Sequence, residues 1–383
     1  MAVSVKTMEW FITLLSVRPD AISVWSDPIV GERLSWYYSV MRNEKPAKFL
    51  VAKRVPVETD PFSPDLSLEE LWRLHEKASH VFSDYLAAIK NGELNLEKLE
   101  KPKYSYLDVK VSIAYKLMSP CRLCERLCGA PRHEGKPGVC LVDKEVIVHS
   151  YFHHMGEEAP LVPSGTIFYG GCNFKCVFCQ NYDISQVRAR DGERFTSQEL
   201  AAIQAYLRKR GARNINHVGG DPTPHLPFIL DSLRYLDINV PQLWNSNMYM
   251  SLESVILLED VIDIWLPDLK YGNNECAWRL SKVRNYWEVV TRNIKRAHNS
   301  GNIIIRHLVM PNHLECCTRP VLEWIARNTP RALVNIMDQY RPEHIVARYP
   351  KMYPDIARRP TPSEVVKAYK MAEELGIVYK PVS

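Results

Sequence analysis

The sequence lacks any long hydrophobic run, and this absence excludes a membrane-spanning helix. No window approaches the ~20 consecutive apolar residues that a bilayer span needs. The apolar stretch nearest the start, Trp10 to Val17, is short, follows Glu9 and lacks the small-residue cleavage pattern of a signal peptide. We therefore expect a cytoplasmic protein with no membrane partner.

A strong charge of one sign is also missing. The chain has 49 basic and 44 acidic side chains, and its net charge of +5 is spread over the whole length. This charge is too mild to indicate a nucleic-acid partner, and no basic stripe with interleaved aromatic residues is present. The 383 residues are 46% hydrophobic and 24% charged. Such a composition is typical of a folded protein and excludes disordered and fibrous architectures.

What the sequence does contain is clustered cysteine. Seven of its ten cysteines lie between Cys121 and Cys179. A reducing compartment disfavours disulfides, although thermophilic intracellular proteins are an exception. Thiolate sulfur is a soft donor that iron and zinc prefer, so the cluster of thiols indicates metal ligands.

The first ~118 residues contain no cysteine and are predicted to be mainly helical. Ser67 and Glu70 form a capping box before a run of apolar residues at helical spacing, and Asn91-Gly92 ends that helix. Two irregular breaks are expected around it, a proline-rich linker at Val55–Pro64 and a second break at Lys101–Tyr106.

From about Thr166 onward, short apolar runs alternate with amphipathic helical stretches. This pattern is typical of strand-helix units in a parallel sheet. Six strands are predicted, at Thr166–Tyr169, Asn214–Val218, Gln242–Asn245, Ile262–Leu269, Asn302–Val309 and Leu333–Met337. Helices are predicted at Ser197–Arg210, Leu252–Glu259, Tyr286–Asn299, Arg319–Asn328 and Ser363–Leu375. An incomplete (β/α) barrel and an open doubly wound sheet both fit this order, and periodicity alone does not separate them.

The first cysteine set directly follows the first of these strands. Cys172, Cys176 and Cys179 stand at x3 and x2 spacing on one loop and can converge on three corners of a cubane. A [4Fe-4S] cluster held by three thiolates keeps one iron open for a substrate or cofactor. The alternative is a zinc or electron-transfer site that borrows Cys128 or Cys140 as a fourth ligand.

This loop resembles that of the radical SAM superfamily, which has an aromatic residue, here Phe178, just before the third cysteine. The resemblance implies that the open iron binds S-adenosylmethionine (SAM), whose reductive cleavage gives methionine and a 5′-deoxyadenosyl radical that abstracts hydrogen. It also implies an α/β fold, an incomplete (β/α)6 TIM-like barrel. Gly219-Gly220-Asp221 is similar to the family's GGE segment, with Asp in place of Glu, and its glycines allow backbone to approach the methionine moiety.

Polar residues at later strand ends are candidates for contacts with the cofactor. The resemblance implies contacts to its ribose and carboxylate, for which hydroxyl, amide and cationic side chains are suited. Ser246 and Arg306 are available, but only one of Arg306 and His307 can face inward because strand residues alternate. We select Asn245, Asn247, Lys270 and His307.

The stretch from Ser119 to the C-terminus is more specifically similar to the branch related to pyruvate formate-lyase activating enzymes. The segments that carry this similarity are 121–124, 156–158, 179–181, 268–271, 306–308 and 337–342. The first ~118 residues have no counterpart in that branch. We predict four regions: a mainly helical accessory domain at 1–118, a cysteine-rich metal or cluster segment at 119–150, the radical SAM partial barrel at 151–345 and a C-terminal extension with a closing helix at 346–383.

The second cysteine set comprises Cys121, Cys124, Cys128 and Cys140. Four thiolates suit either a tetrahedral zinc ion or a second, fully ligated iron-sulfur cluster, and spacing does not select between them.

Several further cysteines and histidines stand apart from both sets. We expect Cys276, Cys316 and Cys317 to be buried or idle thiols. His75 and His80 have no partner at ligand spacing and are expected at the surface.

Two classes of function remain open. The first is a radical SAM enzyme that acts on a protein such as a glycyl-radical enzyme, on an RNA or on a small molecule, with a ferredoxin- or flavodoxin-like electron donor. The second is a non-catalytic zinc or iron-sulfur module that binds nucleic acid. An ordinary methyltransferase is disfavoured because a cysteine loop stands where that fold needs a glycine loop.

Overall fold

The computed structural model of the protein describes residues 16–383, so most of the apolar run from Trp10 lies outside the described part. Its central feature is one sheet of eight strands. The strands are β1 (Val146–His154), β2 (Ser164–Tyr169), β3 (Glu193–Phe195), β4 (Asn214–Gly219), β5 (Gln242–Ser246), β6 (Ile264–Pro267), β7 (Asn302–Leu308) and β8 (Leu333–Met337). Their order in the sheet is β3-β1-β2-β4-β5-β6-β7-β8.

The order and direction of the strands define an incomplete barrel. Strands β2 and β4 to β8 are parallel neighbours, while β1 is antiparallel to both β2 and β3. A doubly wound sheet reverses its strand order at a switch point, whereas these six strands follow one another without reversal. Strands β3 and β8 end the order and do not pair, so the sheet is not closed. The predicted (β/α)6 TIM-like architecture is confirmed.

Helices precede the sheet and connect its parallel strands. The N-terminal helices are α1 (Asp20–Ser23), α2 (Pro28–Arg33), α3 (Ser35–Met41), α4 (Lys48–Ala52), α5 (Leu68–Asn91) and α6 (Tyr106–Leu117). The later helices are α7 (Ser197–Lys209), α8 (Leu226–Arg234), α9 (Leu252–Glu259), α10 (Asn274–Ser281), α11 (Tyr286–Ser300), α12 (Arg319–Asn328), α13 (His344–Arg348) and α14 (Pro362–Glu374). Within residues 16–383, no helix combines the length and the apolar character that crossing a membrane requires.

Helix α5 begins and ends where its sequence signals predict. The Ser67 hydroxyl accepts the Glu70 N–H while the Glu70 carboxylate accepts the Ser67 N–H, which completes the capping box. Gly92 ends the helix with a φ of 78°, a left-handed conformation in which glycine has no Cβ to clash.

The prediction for His75 is wrong, because this histidine is buried between helices. It lies on the apolar stripe of α5, four residues after Leu71. Its Nε2 is 3.0 Å from the Tyr106 hydroxyl and 3.1 Å from the Lys110 Nζ. Burial, followed by the charge of Lys110, lowers the pKa of His75 to about 2, so the ring is a neutral hydrogen-bond acceptor. His80 is exposed, as predicted.

The N-terminal helices share buried contacts with the barrel. The proline-rich stretch is anchored, since Val57 N–H donates to the Tyr104 carbonyl at 2.9 Å. The buried carboxylate of Asp263, just before β6, accepts hydrogen bonds from Trp36 Nε1 at 2.8 Å and from the Lys48 N–H at 3.0 Å. The N-terminal helices therefore satisfy polar groups at the N-terminal end of the barrel, while the 1–118 boundary stays a prediction.

Candidate active site

The cysteine loop leaves the end of β2 through two glycines. Gly171 has a φ of 80°, and a Cβ at this position would lie 2.3 Å from the Cys140 carbonyl oxygen. Only glycine fits such a close approach of two backbones. Cys172 N–H also donates to the Cys140 carbonyl at 3.3 Å. The loop of the first cysteine set therefore packs directly on the end of the second set.

Each of the three loop cysteines has a polar neighbour at its sulfur. Phe174 N–H donates to Cys172 Sγ at 3.3 Å. Cys176 Sγ is 2.9 Å from the Ser281 hydroxyl, and Cys179 Sγ is 3.4 Å from the Ser185 hydroxyl. Cys172 and Cys176 are buried, and Cys179 is half-buried.

The environment of these thiols fits a cationic metal group. Burial raises the pKa of Cys172 well above its usual range, and the charges of nearby acidic groups, Cys176 and Cys179 among them, add to the shift. Burial and the charge of Cys179 likewise raise the pKa of Cys176 to about 12. Mutually repelling thiolates are stabilised by a bound cation, and the N–H and hydroxyl groups around them can donate to thiolate sulfur.

The Gly219-Gly220 pair allows the next loop to pack on the cysteine loop. Gly219 has a φ of 116°, and a Cβ at Gly220 would lie 2.0 Å from the Gly171 carbonyl oxygen. Asp221 N–H donates to that same oxygen at 3.0 Å. The sequence analysis explains these glycines by close approach of the cofactor. The structure adds a second reason for glycine at these positions, which is direct contact between the backbones of the two loops.

The Asp221 carboxylate joins the end of β4 to the end of β5. It accepts hydrogen bonds from the Thr223 N–H at 2.9 Å and from the Ser246 hydroxyl and the Asn247 N–H at 3.0 Å each. Burial raises the pKa of Asp221, while these donors oppose that rise. Asp221 thus orders two strand-end loops from a fully buried position.

Asn247 extends this connection to the cysteine loop. Its Nδ2 donates to Asn173 Oδ1 at 2.7 Å and lies 3.8 Å from Cys172 Sγ. Asn245 lies on β5, two residues before Asn247. Its Oδ1 accepts a hydrogen bond from the Arg306 guanidinium. The two predicted asparagines therefore stand at the same end of the barrel as the cysteines.

Lys270 and Arg306 share one carboxylate. Asp268 accepts from Lys270 Nζ through Oδ2 and from Arg306 Nε through Oδ1 at 2.8 Å. Burial lowers the pKa of Lys270, but the Asp268 carboxylate and the Cys176 sulfur outweigh it, so its pKa lies above the usual value. The three side chains form a buried group with one net positive charge.

His307 lies on the opposite face of β7 from Arg306. Its Nδ1 is 2.8 Å from the Leu269 carbonyl oxygen, and its Nε2 is 2.9 Å from the Thr318 hydroxyl. Strand alternation thus gives the inward position to Arg306, the residue of the pair that the sequence analysis did not select. Phe178 is buried and packs edge-on against Tyr340 with ring centroids 5.6 Å apart.

Two glutamates that were not selected from the sequence approach the same group. Glu157 accepts from Asn216 Nδ2 at 2.9 Å and lies 3.6 Å from the Arg306 guanidinium. Glu158 accepts from Asn335 Nδ2 at 2.8 Å, and burial raises its pKa to about 7. Both line a cavity of about 790 Å³. The Gly156-Glu157-Glu158 segment was the available signal, but its contacts depend on the tertiary fold.

The second cysteine set shares a pocket with a buried arginine. Arg132 is fully buried, and its guanidinium donates to the carbonyl oxygens of Asp143 and Pro224 at 2.9 Å each and lies 4.0 Å from Cys121 Sγ. The side chains of Cys121, Cys124, Cys128 and Cys140 line one small pocket with Arg132. A hydrogen bond from Cys121 lowers the pKa of Cys128 to about 5. The fold therefore brings the four thiols together beside a cation.

Three further cysteines, which the sequence analysis treated as idle, also come together. Cys276, Cys316 and Cys317 surround the imidazole of His313. No sequence spacing indicated this group, because α10 and the segment after β7 meet only in the folded chain.

Comparisons with known proteins agree with this arrangement. The family model of the radical SAM superfamily matches residues 166–325. The chain is 44% identical over 354 residues to the uncharacterized protein MJ0674 of Methanocaldococcus jannaschii, covering 91% of this chain and 99% of that protein. The chain belongs to the radical SAM superfamily. Its general reaction is therefore the reductive cleavage of SAM at a [4Fe-4S] cluster, which requires a reductant and a substrate.

The solved structures that match this chain share little of its sequence. A domain of a pyruvate-formate lyase-activating enzyme from Bacteroides vulgatus is 17% identical, covers 43% of this chain and 96% of its own, and has a TM-score of 0.35. SuiB of Streptococcus suis bound to its precursor peptide SuiA is 13% identical, covers 82% and 66%, and has a TM-score of 0.38. The predicted superfamily is confirmed by the family match, and no substrate follows from these structures.

Proposed function

We propose that Cys172, Cys176 and Cys179 hold the catalytic [4Fe-4S] cluster and that the adjoining strand ends bind SAM. When bound, the cluster and SAM together supply a 5′-deoxyadenosyl radical that removes hydrogen from the substrate. The observation that carries the proposal is the cysteine loop itself. Its three thiols follow the first parallel strand, two of them buried, and each has a polar neighbour at its sulfur.

The remaining residues would fix the cofactor in place. Asn247 contacts the cysteine loop, so its amide is suited to order the cofactor next to the cluster. Asn245 is our candidate for a ribose hydroxyl, and Lys270 is our candidate for the carboxylate of SAM. We include Arg306 rather than His307, because Arg306 contacts Asn245 and Asp268 whereas His307 contacts Thr318.

The substrate is proposed to enter through the cavity beside Glu157 and Glu158. The cavity contains none of the loop cysteines, but Glu157 connects it to Arg306 and so to the strand-end group. A cavity with carboxylates, Arg18 and Asn335 in its wall suits a polar substrate or a polar segment of a larger one.

We propose that the second cysteine set binds a second metal centre. Four thiolates beside Arg132 suit both a second [4Fe-4S] cluster and a zinc ion. Iron for two cubanes in the reconstituted chain would identify a cluster, whereas iron for one cubane together with zinc that disappears in Cys124→Ser would identify a zinc site.

The test is anaerobic reconstitution with iron and sulfide, followed by dithionite and SAM. We expect 5′-deoxyadenosine and methionine even without substrate, through slow uncoupled turnover. The variant Cys176→Ala should lose both products while keeping its fold. The matched control Val177→Ala, which changes the neighbouring side chain and no thiol, should keep them.

Two outcomes would contradict the proposal. One is a wild-type chain that binds the iron of a cubane but forms no 5′-deoxyadenosine. The other is a Cys176→Ala variant that is less stable than the wild type but whose folded fraction still forms 5′-deoxyadenosine at the wild-type rate, which would indicate that Cys176 has a structural role only.

A further inference from the structure

Four potential metal ligands from two segments converge outside both predicted cysteine sets. Cys276 lies on α10, and His313, Cys316 and Cys317 belong to the segment that follows β7. We call these four residues the Cys276 cluster. Their ligand atoms all lie within 4.8 Å of one another. His313 and Cys317 are buried, Cys276 is half-buried and Cys316 is exposed, which leaves a path from solvent.

The distances within the Cys276 cluster match a single tetrahedral ion. His313 Nδ1 lies 3.8 Å from Cys276 Sγ, 3.3 Å from Cys316 Sγ and 3.5 Å from Cys317 Sγ. The sulfurs of Cys316 and Cys317 are 3.9 Å apart. Tetrahedral zinc with Zn–S of ~2.3 Å and Zn–N of ~2.0–2.1 Å places sulfur and nitrogen ~3.5 Å apart and two sulfurs ~3.8 Å apart.

Hydrogen bonding alone does not account for this convergence. One ring nitrogen forms one hydrogen bond, as donor or as acceptor, yet three sulfurs surround His313 Nδ1. A metal ion at the centre would engage all four ligand atoms at once.

The other nitrogen of the ring is held as in known zinc sites. His313 Nε2 lies 2.9 Å from Asp355 Oδ2, and Arg279 in turn pairs with the same carboxylate. A carboxylate at this position keeps the proton on Nε2 and directs the Nδ1 lone pair at the sulfurs. Metal-binding histidines nearly always have such a partner.

We propose that Cys276, His313, Cys316 and Cys317 bind one zinc ion as a Cys3His site. Zinc is the metal for which a compact set of three thiolates and one imidazole is typical. In the zinc-bound state the three cysteines are thiolates and the imidazole is neutral, so binding releases protons to solvent. This assignment does not depend on which group occupies the cysteine loop.

The position of the ion indicates what it would stabilise. Helix α10 carries Cys276 and ends at Ser281, whose hydroxyl contacts Cys176 Sγ and whose carbonyl accepts the Lys175 N–H at 3.0 Å. Zinc would fix α10 against the segment after β7 and would therefore support the cysteine loop from behind.

The experiment uses the full chain, purified anaerobically from cells supplied with zinc. Zinc and iron are measured by mass spectrometry, and zinc K-edge X-ray absorption reports only the zinc ligands. We expect a zinc ion with three sulfurs at ~2.3 Å and one nitrogen at ~2.0–2.1 Å. Cys276→Ser and Cys316→Ser should each lose one zinc per chain and keep the iron.

Two further variants test the supporting shell and the specificity of the loss. Asp355→Asn should weaken zinc binding about 10–100-fold in competition with a chelator. The control Glu315→Gln changes an exposed side chain on the same segment, next to Cys316, and should bind zinc like the wild type.

Several results would overturn the proposal. One is a wild-type chain that contains no zinc. Another is iron or a disulfide at the Cys276 cluster, and a third is zinc that persists in both serine variants. A zinc shell of four sulfurs that disappears only in Cys124→Ser would assign the metal to the second cysteine set. If Cys276→Ser fails to fold, the exposed Cys316→Ser decides the question.

Discussion

Replacing Arg306 by methionine should destabilise the chain substantially, because this guanidinium neutralises carboxylates inside the barrel. The side chain is only 15% exposed. The Arg306 Nε lies 2.8 Å from Asp268 Oδ1, and the Arg306 Nη1 lies 3.6 Å from Glu157 Oε2. Methionine keeps much of the length but removes the charge, which leaves two poorly hydrated carboxylates with less compensation.

The expected loss follows from that burial. Removing one partner of a buried ion pair costs about 3–5 kcal/mol. Lys270 still pairs with Asp268 in the variant, so the loss should fall near the low end, about 3 kcal/mol. This corresponds to about two orders of magnitude in the folding equilibrium.

The loss should also depend on pH in a defined direction. Burial raises the pKa of Glu157 although Arg306 opposes that rise, whereas at Asp268 Arg306 and Lys270 outweigh burial and hold the pKa below its usual value. Without Arg306 both pKa values rise, so the native variant binds more protons than the native wild type while these carboxyls titrate. The deficit of Arg306→Met therefore grows as pH rises and should be larger at pH 8 than at pH 5.

The assay is urea unfolding of the cluster-free chain under anaerobic conditions at both pH values. The control is Arg319→Met, because Arg319 is an exposed arginine paired with Glu315, and an exposed ion pair contributes little to stability. Equal shifts in the two variants, or a deficit that grows toward pH 5, would refute the electrostatic argument.

Two further substitutions test the cysteine loop. Gly220→Ala should prevent most iron uptake on reconstitution, because its Cβ would meet the Gly171 carbonyl oxygen at 2.0 Å. The iron content of the reconstituted chain measures this. The control Gly31→Ala, where a Cβ would have no atom within 4 Å, should bind iron like the wild type. Ser281→Ala should make the reduction potential of the cluster more negative, because a hydroxyl near Cys176 Sγ is lost. A redox titration followed by electron paramagnetic resonance checks this, and an unchanged potential would count against Cys176 as a ligand.

Local signals account for the parts of the fold that were predictable. The capping box at Ser67 and the left-handed Gly92 define α5 within a few neighbouring residues. Strands β6, β7 and β8 are short, mainly apolar runs, because both faces of a parallel sheet are covered. The cysteine loop was also predictable, since all three of its thiols lie within the ten residues that follow one strand.

Structure formed by distant residues was not predictable. Strand β1 has a buried first half and an exposed second half rather than an alternating pattern, and β3 has three residues. Helix α8 begins with Leu226-Pro227 and has no side-chain cap, so proline in its first turn is the one signal of its start. His75 occupies a buried position because Tyr106 and Lys110 come from another helix.

The candidate site likewise has features that local sequence predicts and features that depend on distant residues. Alternation along β7 predicts that one of Arg306 and His307 faces inward but does not say which, since both are polar. Which of the two faces inward depends on Asp268, directly after β6, because its carboxylate pairs with Arg306. The Cys276 cluster joins residues 37 apart, Cys276 and His313, through packing that no local pattern records.

The buried acid at Asp263 limits how this barrel can be recombined with others. Its carboxylate accepts from Gln242 N–H inside the barrel and from Trp36 and the Lys48 N–H outside it. A shortened chain that starts at the cysteine-rich segment would lack Trp36 and Lys48, which supply two of these three donors. The apolar barrel residues that the leading helices cover would then face water. Chimeras that exchange catalytic barrels among relatives should therefore transfer the leading helices together with the strands they cover.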